Sequence, residues 1–376
     1  MIIVTFTNLT HYESVHHSTN LVHITSAMAG LISSRITYLT TAIIGIIILG
    51  FIWKVNKGKT KKVAKSRTFG LTQLYPDPQK LADDDKEVVD IVAIHGLDSE
   101  SRTAWVAWKI DGQPESGGVH WLKDPHMLPL KIAKSRIFTY DWPAGVGRDA
   151  ALASMFNHSS HLLSSLTVTR AETGTTTRPI IFVASCFGGL LLAKALVVAS
   201  FPADDRYLNI LRYTVGVAFL GTPFQGTDKF LHDLTLLRIA AAVEAGEESS
   251  TELARYLRHD KDREDLDELV TNFCKLRNNP KYELPVVCFC EQFPTNFQSF
   301  VGRLHPDIGK ALGTKGSTVL VKPHSACLPG VNAESLPVRH NMLNKFNLPH
   351  NDGFMKLSST LQKFAEKAEE VLERKR

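Results

Sequence analysis

At 376 residues the chain can hold one large α/β domain plus extra segments, and its composition, 44% hydrophobic and 22% charged, is that of a globular protein. The net charge of +5 is local: Lys54, Lys57, Lys59, Lys61, Lys62, Lys65 and Arg67 fall within fourteen residues that contain no acid, and the other 36 basic residues against 38 acidic ones leave −2. That balance excludes a nucleic-acid footprint over the folded domain.

Five cysteines (Cys186, Cys274, Cys288, Cys290 and Cys327) form an odd set without framework spacing. They argue against a disulfide scaffold and for a reducing compartment. Cys288 and Cys290 share a strand face, but no second Cys/His pair has ligand spacing, so no metal is expected.

Residues 1–35 are polar and His-rich, with a glycosylation sequon at Asn8-Leu9-Thr10. Ile36–Trp53 is eighteen residues without a charge, bounded by Arg35 and Lys54 and carrying Tyr38 and Trp53 near its ends. That length just crosses a bilayer core, so a single transmembrane helix is expected over 36–53. The basic tract 54–67 follows at once and, by the positive-inside rule, places the rest of the chain on the cytosolic side. A cleaved secretory signal fits less well, because the basic flank is on the wrong side and no small-residue cleavage site stands out. A mitochondrial presequence is supported only by the scarcity of acids, since Arg35 is the one Lys or Arg of residues 1–35. Gly58-Lys59-Thr60 imitates the end of a phosphate-binding loop, but the first glycine position holds Trp53 and no strand precedes it. No nucleotide or other cofactor is expected.

From about residue 68 strands and helices alternate. Val88–Ile94 is a buried strand ending in His95-Gly96-Leu97, and Arg136–Tyr140 is a second, ending in Asp141-Trp142-Pro143. Asp149–Leu166 spaces Leu152, Met155, Leu162, Leu163 and Leu166 as a helix does. Ile180–Val183 and Thr214–Leu220 are further strands, the latter ending in Gly221-Thr222-Pro223-Phe224. Residues 230–280 are charged and helix-favouring, and they interrupt the alternation as a cap over a site would. Leu284–Cys290 and Thr318–Lys322 are short apolar runs, and 356–376 is a closing helix with a solvated face. The pattern implies an α/β fold with a mostly parallel sheet covered on both faces.

The run Ile180 to Leu196 has a sharper meaning. An apolar strand breaks at Ala184-Ser185-Cys186-Phe187-Gly188 and an apolar helix follows. This is the strand–turn–helix layout of a nucleophile elbow, usually G-x-S-x-G, with a cysteine at the nucleophile position. Ser185 is out of register, because its +2 residue would be Phe187. The turn lifts Cys186 above the sheet edge and the helix start favours negative charge there, which suits a thiolate and an oxyanion. The bland alternative is a small buried cysteine in a dead elbow.

The segments GLTQLYP (70–76), VDIVAIHGL (89–97), VHWLKDPHMLP (119–129), SRIFTYDWPA (135–144), RPIIFVASCFGGLLLAKAL (178–196), VGVAFLGTPFQGT (215–227), LPVVCFCEQFPT (284–295) and LPVRHNMLNKF (336–346) carry a resemblance. In that order and spacing, residues 68–355 resemble the α/β-hydrolase domain of the serine active site-containing proteins and the related modules at the front of many fungal signalling proteins. The resemblance implies an α/β-hydrolase fold. It places Cys186 where most relatives have serine, and His340 at the catalytic histidine, with Arg339-His340-Asn341 standing for the usual Asp-His-Ser. It also implies Glu291 as the acid, and an oxyanion hole from the N–H groups of Phe187 and Leu97. The order Cys186, Glu291, His340 is that of the fold. Asp228 is the second candidate acid and His324 the second candidate base, while His95 reads as a loop organiser.

Two functions follow. The first is a membrane-anchored hydrolase or acyltransferase that acts on an ester or thioester through a Cys-His-acid triad. Its substrate is a lipid or acyl group near the bilayer, in an endoplasmic reticulum or mitochondrial membrane, in keeping with the family's association with phospholipid handling. The second is an inactive pseudo-hydrolase serving as a membrane-tethered scaffold or sensor, motivated by the absent serine, Ala184 and the altered histidine context.

Overall fold

The computed structural model describes residues 68–78, 88–97, 99–110, 112–144, 155–201, 205–227, 264–296 and 317–376. The expected membrane helix at 36–53, the basic tract, most of the expected cap and Asp228 lie outside them. Among the described residues no helix is long and apolar enough to cross a membrane.

The strands are β1 (Gly70–Tyr75), β2 (Val89–Ile94), β3 (Val106–Ile110), β4 (Gln113–His120), β5 (Ser135–Asp141), β6 (Ile180–Ser185), β7 (Thr214–Leu220), β8 (Val286–Glu291), β9 (Thr295–Asn296), β10 (Ser317–Thr318) and β11 (Ala333–Leu336). Seven of them form one sheet in the order β1-β5-β2-β6-β7-β8-β11, parallel throughout except for the antiparallel edge pair β1–β5. Every residue of β2, β5, β6 and β7 is buried. That is why these strands read as unbroken apolar runs: helices cover both faces, and neither side of the pleat meets water.

The alternation along β2 sorts the two cores. Val92 and Ile94 face one cluster, and Val89, Ile91 and Ala93 the other. The first cluster is covered by α1 (Met155–Glu172), α2 (Phe187–Ala199) and α3 (Glu264–Arg277). The second is covered by α4 (Asp352–Glu366), α5 (Ala368–Arg374) and the loops around Trp105 and Trp121. This is an α/β-hydrolase fold with a mostly parallel sheet.

Four expectations change in detail. The helix expected over 149–166 runs to Glu172, with Met155, Leu162, Leu163 and Leu166 buried as its spacing requires. Of the expected cap, Glu264–Arg277 is a layer of the core: Leu266, Leu269, Phe273 and Leu276 are buried, and Phe273 meets Phe219 of β7 edge-on at 5.9 Å. The run Thr318–Lys322 is a two-residue strand followed by loop. The closing helix starts earlier, at Asp352, where the Asn351 side chain caps it by accepting from the Phe354 N–H at 3.2 Å. It is also not simply solvated, since Phe354, Leu357 and Leu361 are buried and Lys375 donates to the Thr214 carbonyl.

Candidate active site

Strand β6 ends in Ser185 and α2 starts at Phe187, so Cys186 must turn the chain alone. It does so at φ 52, ψ −129, the one non-glycine residue with positive φ among the described residues. Such a backbone costs a side-chain-bearing residue about 1–3 kcal/mol and persists only where the surroundings impose it. Here they do: the Cys186 N–H donates to the Leu220 carbonyl at 2.8 Å, and its carbonyl accepts from the Gly189 N–H at 3.0 Å. Gly188 lies so close to β2 that an added Cβ would sit 2.4 Å from the His95 oxygen and 2.8 Å from that of Ile94. Gly96 is equally constrained, as a Cβ there would come within 2.6 Å of the Cys186 Cβ and 3.3 Å of its Sγ. The thiol therefore projects, half-buried, beside the loop that follows β2.

Glu291 ends β8 and is fully buried, and its Oε1 accepts the Val321 N–H at 2.8 Å. Its other oxygen, Oε2, lies 3.2 Å from His340 Nδ1. The opposite charges attract there, and neither atom has another hydrogen-bond partner among the described residues. His340 opens a single 3-10 turn, His340–Met342, and its ring leans on Gly221 at the end of β7. Gly221 takes φ +61, and a Cβ there would stand 2.9 Å from the imidazole Cε1. The ring also shares a hydrogen bond with Cys186.

Electrostatics follow from this sandwich. Burial alone would depress the His340 pKa, but the Cys186 sulfur and the Glu291 carboxylate outweigh it and push it up to about 10. Burial alone would raise Glu291, and the facing imidazole and the Val321 N–H instead hold it below its ordinary range. An imidazole held between a thiol and an oriented carboxylate is arranged to take the thiol's proton and keep it.

The two expected oxyanion donors belong to segments that are tied together. Phe187 opens α2, and Leu97 sits in the turn after β2, where its N–H has no hydrogen-bond partner among the described residues. His95 is buried, with Nε2 3.0 Å from Asp141 Oδ1, and that oxygen also accepts the Ser101 N–H at 2.7 Å. Trp142 donates from Nε1 to the His95 carbonyl at 2.9 Å, stacks on the His95 ring at 5.9 Å, and stacks on Phe187 at 6.1 Å. His95 is thus placed as a loop organiser, its ring tied to Asp141 and Trp142. His324 is exposed on the loop beyond Val321.

The structure brings Cys186, His340 and Glu291 into one chain of contacts, with Phe187 and Leu97 flanking the thiol's turn. Sequence reasoning missed Asp141 and Trp142 as holders of the Leu97 loop, and Gly221 as the seat of His340. The signals were present: an acid and an indole directly after one strand, and a glycine directly after another.

No protein-family model and no curated protein matches the chain. Among solved structures it is similar to the mature-form lipase of Bacillus licheniformis, at 20% identity over 78% of this chain and 99% of that one, TM-score 0.46. It is also similar to the phospholipase PlaB of Legionella pneumophila, at 10% identity over 77% of this chain and 63% of that one, TM-score 0.48. An esterase from Pyrobaculum calidifontis is 12% identical over 77% of this chain and 78% of that one, TM-score 0.37.

Proposed function

We propose that the chain is an ester or thioester hydrolase of the α/β-hydrolase fold that works through Cys186, His340 and Glu291, in the branch of the serine active site-containing proteins. The observation that carries the reading is the strained Cys186 turn facing a raised-pKa imidazole. The turn's surroundings hold the strained φ and with it the thiol in reach of His340.

In the proposed reaction His340 takes the Cys186 proton and the thiolate attacks the substrate carbonyl carbon. A C–S bond forms, and the charge moves to the carbonyl oxygen, where the N–H groups of Phe187 and Leu97 receive it. Collapse breaks the bond to the leaving oxygen or sulfur, which departs with the proton from His340. Water, deprotonated by His340, then hydrolyses the acyl-cysteine and releases a carboxylic acid. Glu291 holds the ring's orientation and offsets its charge throughout.

The substrate class is lipid or acyl. Ile36–Trp53 and the basic tract support it by tethering the domain to a bilayer with the hydrolase on the cytosolic side, in an endoplasmic reticulum or mitochondrial membrane. Glycan attachment at Asn8 in a microsomal translation would bear out that orientation, and attachment to the domain side would refute it.

The reaction is tested on the full-length protein with an activated ester and intact-mass spectrometry. A hydroxylamine-sensitive acyl adduct on Cys186, absent in Cys186→Ala and slowed strongly in His340→Ala, is the expected result. Full turnover in Cys186→Ala would sink the proposal. Labelling of Cys186 no faster than that of Cys274, Cys288, Cys290 and Cys327 would favour the inactive scaffold.

A further inference from the structure

Strand β8 carries Glu291 at one end and a cleft at the other. The β8–β11 ladder begins only at Cys288 opposite Ala333, so Val286 and Val287 pair with β7 alone, opposite Val217 and Ala218. Before that point the two segments part around a cleft of about 500 Å³. Leu284 to Val287 form one wall, Gly330 to Glu334 the other, and Arg277 at the end of α3 closes it. Gly330 turns away at φ +73, and a Cβ there would meet only Arg277 Nη2, at 3.9 Å. Three residues of strand, Cys288 to Cys290, at ~3.3 Å each lie between Val287 of the cleft and Glu291, so it is not part of the site above.

The cleft's chemistry is lopsided. Its walls are apolar at Leu284, Pro285, Val286, Val287 and Val331. The half-buried guanidinium of Arg277 touches one polar group, donating from Nε to Asn278 Oδ1 at 3.3 Å, while its Nη1 is covered and has no partner. Among the described residues no carboxylate pairs with it: Glu334 also lines the cleft, but is exposed to water. A charge in low-dielectric surroundings calls for a counter-charge. Arg presents a planar fork that suits the oxygens of a carboxylate or sulfate. A cleft of this size, with apolar side chains on its walls and polar groups at Arg277, Asn332 and Glu334, can seat a small molecule that has both an apolar and a charged part.

We propose that this cleft binds an amphipathic monoanion, an alkyl chain of moderate length bearing a singly charged oxyanion head, with the head on Arg277 and the chain along Val286 and Val287. Glu334 at the wall disfavours a second negative charge. The site stands apart from the proposed chemistry at Cys186, and its test does not depend on that chemistry.

The test is isothermal titration of the full-length protein with sodium octanoate, with octyl sulfate and neutral octanamide beside it. The expected result is one octanoate per chain, with octanamide and the Arg277→Gln variant each binding at least about tenfold more weakly. That factor corresponds to one charge-assisted hydrogen bond. Glu334→Gln should bind as tightly or more tightly, and Cys186→Ala should bind as the wild type does. If Arg277→Gln fails to fold, the exposed Asn332→Asp carries the test by placing a like charge on the wall and weakening octanoate several-fold. Equal binding by wild type and Arg277→Gln, equal binding of octanamide, loss of affinity in Glu334→Gln, or no binding to the wild type would each overturn the proposal. Octyl sulfate binding like octanoate extends the site to oxyanions generally, whereas its failure confines the site to carboxylates.

Discussion

Asp90 and Glu291 are both buried carboxylates of this domain, and their surroundings could hardly differ more. Asp90, near the start of β2, is met by three arginines. Arg136 reaches both oxygens, at 2.9 and 3.0 Å, Arg170 pairs with Oδ2, and Arg178 lies 3.4 Å from Oδ1. Thr173 and Thr175 complete the coordination of Arg136, at 2.9 and 2.7 Å. Glu291, at the far end of β8, has one backbone donor and one facing imidazole 3.2 Å away, and that imidazole is shared with a thiol. The first cluster satisfies its charge and locks β2, β5 and α1 together. The second leaves a proton with two owners, which is what chemistry requires and structure avoids.

Substitutions should split these roles. His340→Ala or Glu291→Gln is expected to cut ester turnover on the order of 10³- to 10⁴-fold, the loss seen when such triads lose their base or its orienting acid. Each also strips one partner from a buried pair, so the thermal midpoint should fall as well. Asp90→Asn should separate the two effects: ester turnover per folded molecule stays within about twofold, but stability falls by about 3–5 kcal/mol, because three guanidinium groups lose their buried partner. Denaturant melts and rate measurements on the same samples check both. If Asp90→Asn abolished turnover in protein shown to be folded, the division would fail.

A pH dependence follows from the Glu291 end. His340 is raised from an ordinary 6.5 to about 10, so the stability it contributes is complete below about pH 6.5 and is lost as pH rises through about 10. Glu291 is lowered from an ordinary 4.5, so its contribution is present above that value and disappears on acidification. The thermal midpoint should therefore fall as pH rises from about 6.5 towards 10, a slope that His340→Gln should lack. Proton NMR of the His340 ring should show no titration between pH 6 and 9, and Cys186→Ala should bring the midpoint down, since the sulfur is one of the two groups that hold it up. A His340 midpoint near 6.5 in the wild type would show that the ring is not held as described.

Much of this was legible in the chain, for physical reasons that differ by residue. Strands β2, β5, β6 and β7 announce themselves because both faces are buried, so each reads as a continuous apolar run bounded by glycine or polar residues. Cys186 is marked by its local strand–turn–helix grammar, whereas Glu291 and His340 are marked only by the resemblance to the family. The hairpin of β3 and β4 was not legible: its second strand, QPESGGVH, is mostly exposed and has neither alternation nor apolar content. Strand β11, AESL, is too short to register a period. The Asp90 cluster draws its arginines from 46, 80 and 88 residues away, distances at which no local pattern survives. The closing helix was read as solvated because its charges alternate, while its buried stripe of Phe354, Leu357 and Leu361 starts before the segment that was read.

Gly221→Ala tests the seat of His340 more gently than removing the ring. The new Cβ meets both an unfavourable φ of +61 and the imidazole at 2.9 Å. A cost of about 1–3 kcal/mol is expected, together with a rate loss, because the ring is pushed off its line between Cys186 and Glu291.

The smallest effect concerns the turn itself. Substituting Cys186 by alanine keeps a Cβ in the positive-φ turn, whereas glycine removes it. Elsewhere glycine in place of alanine costs roughly 0.5–1 kcal/mol in unfolded-state entropy. At residue 186 relief of about 1–3 kcal/mol of backbone strain opposes that cost, so Cys186→Gly should be as stable as Cys186→Ala or more stable by about 1 kcal/mol. Both variants lack the thiol, so its loss cancels from the comparison and the difference isolates the strain. If alanine were the more stable of the two by the usual margin, the turn would carry no strain, and the strongest physical sign that this elbow is kept for chemistry would be gone.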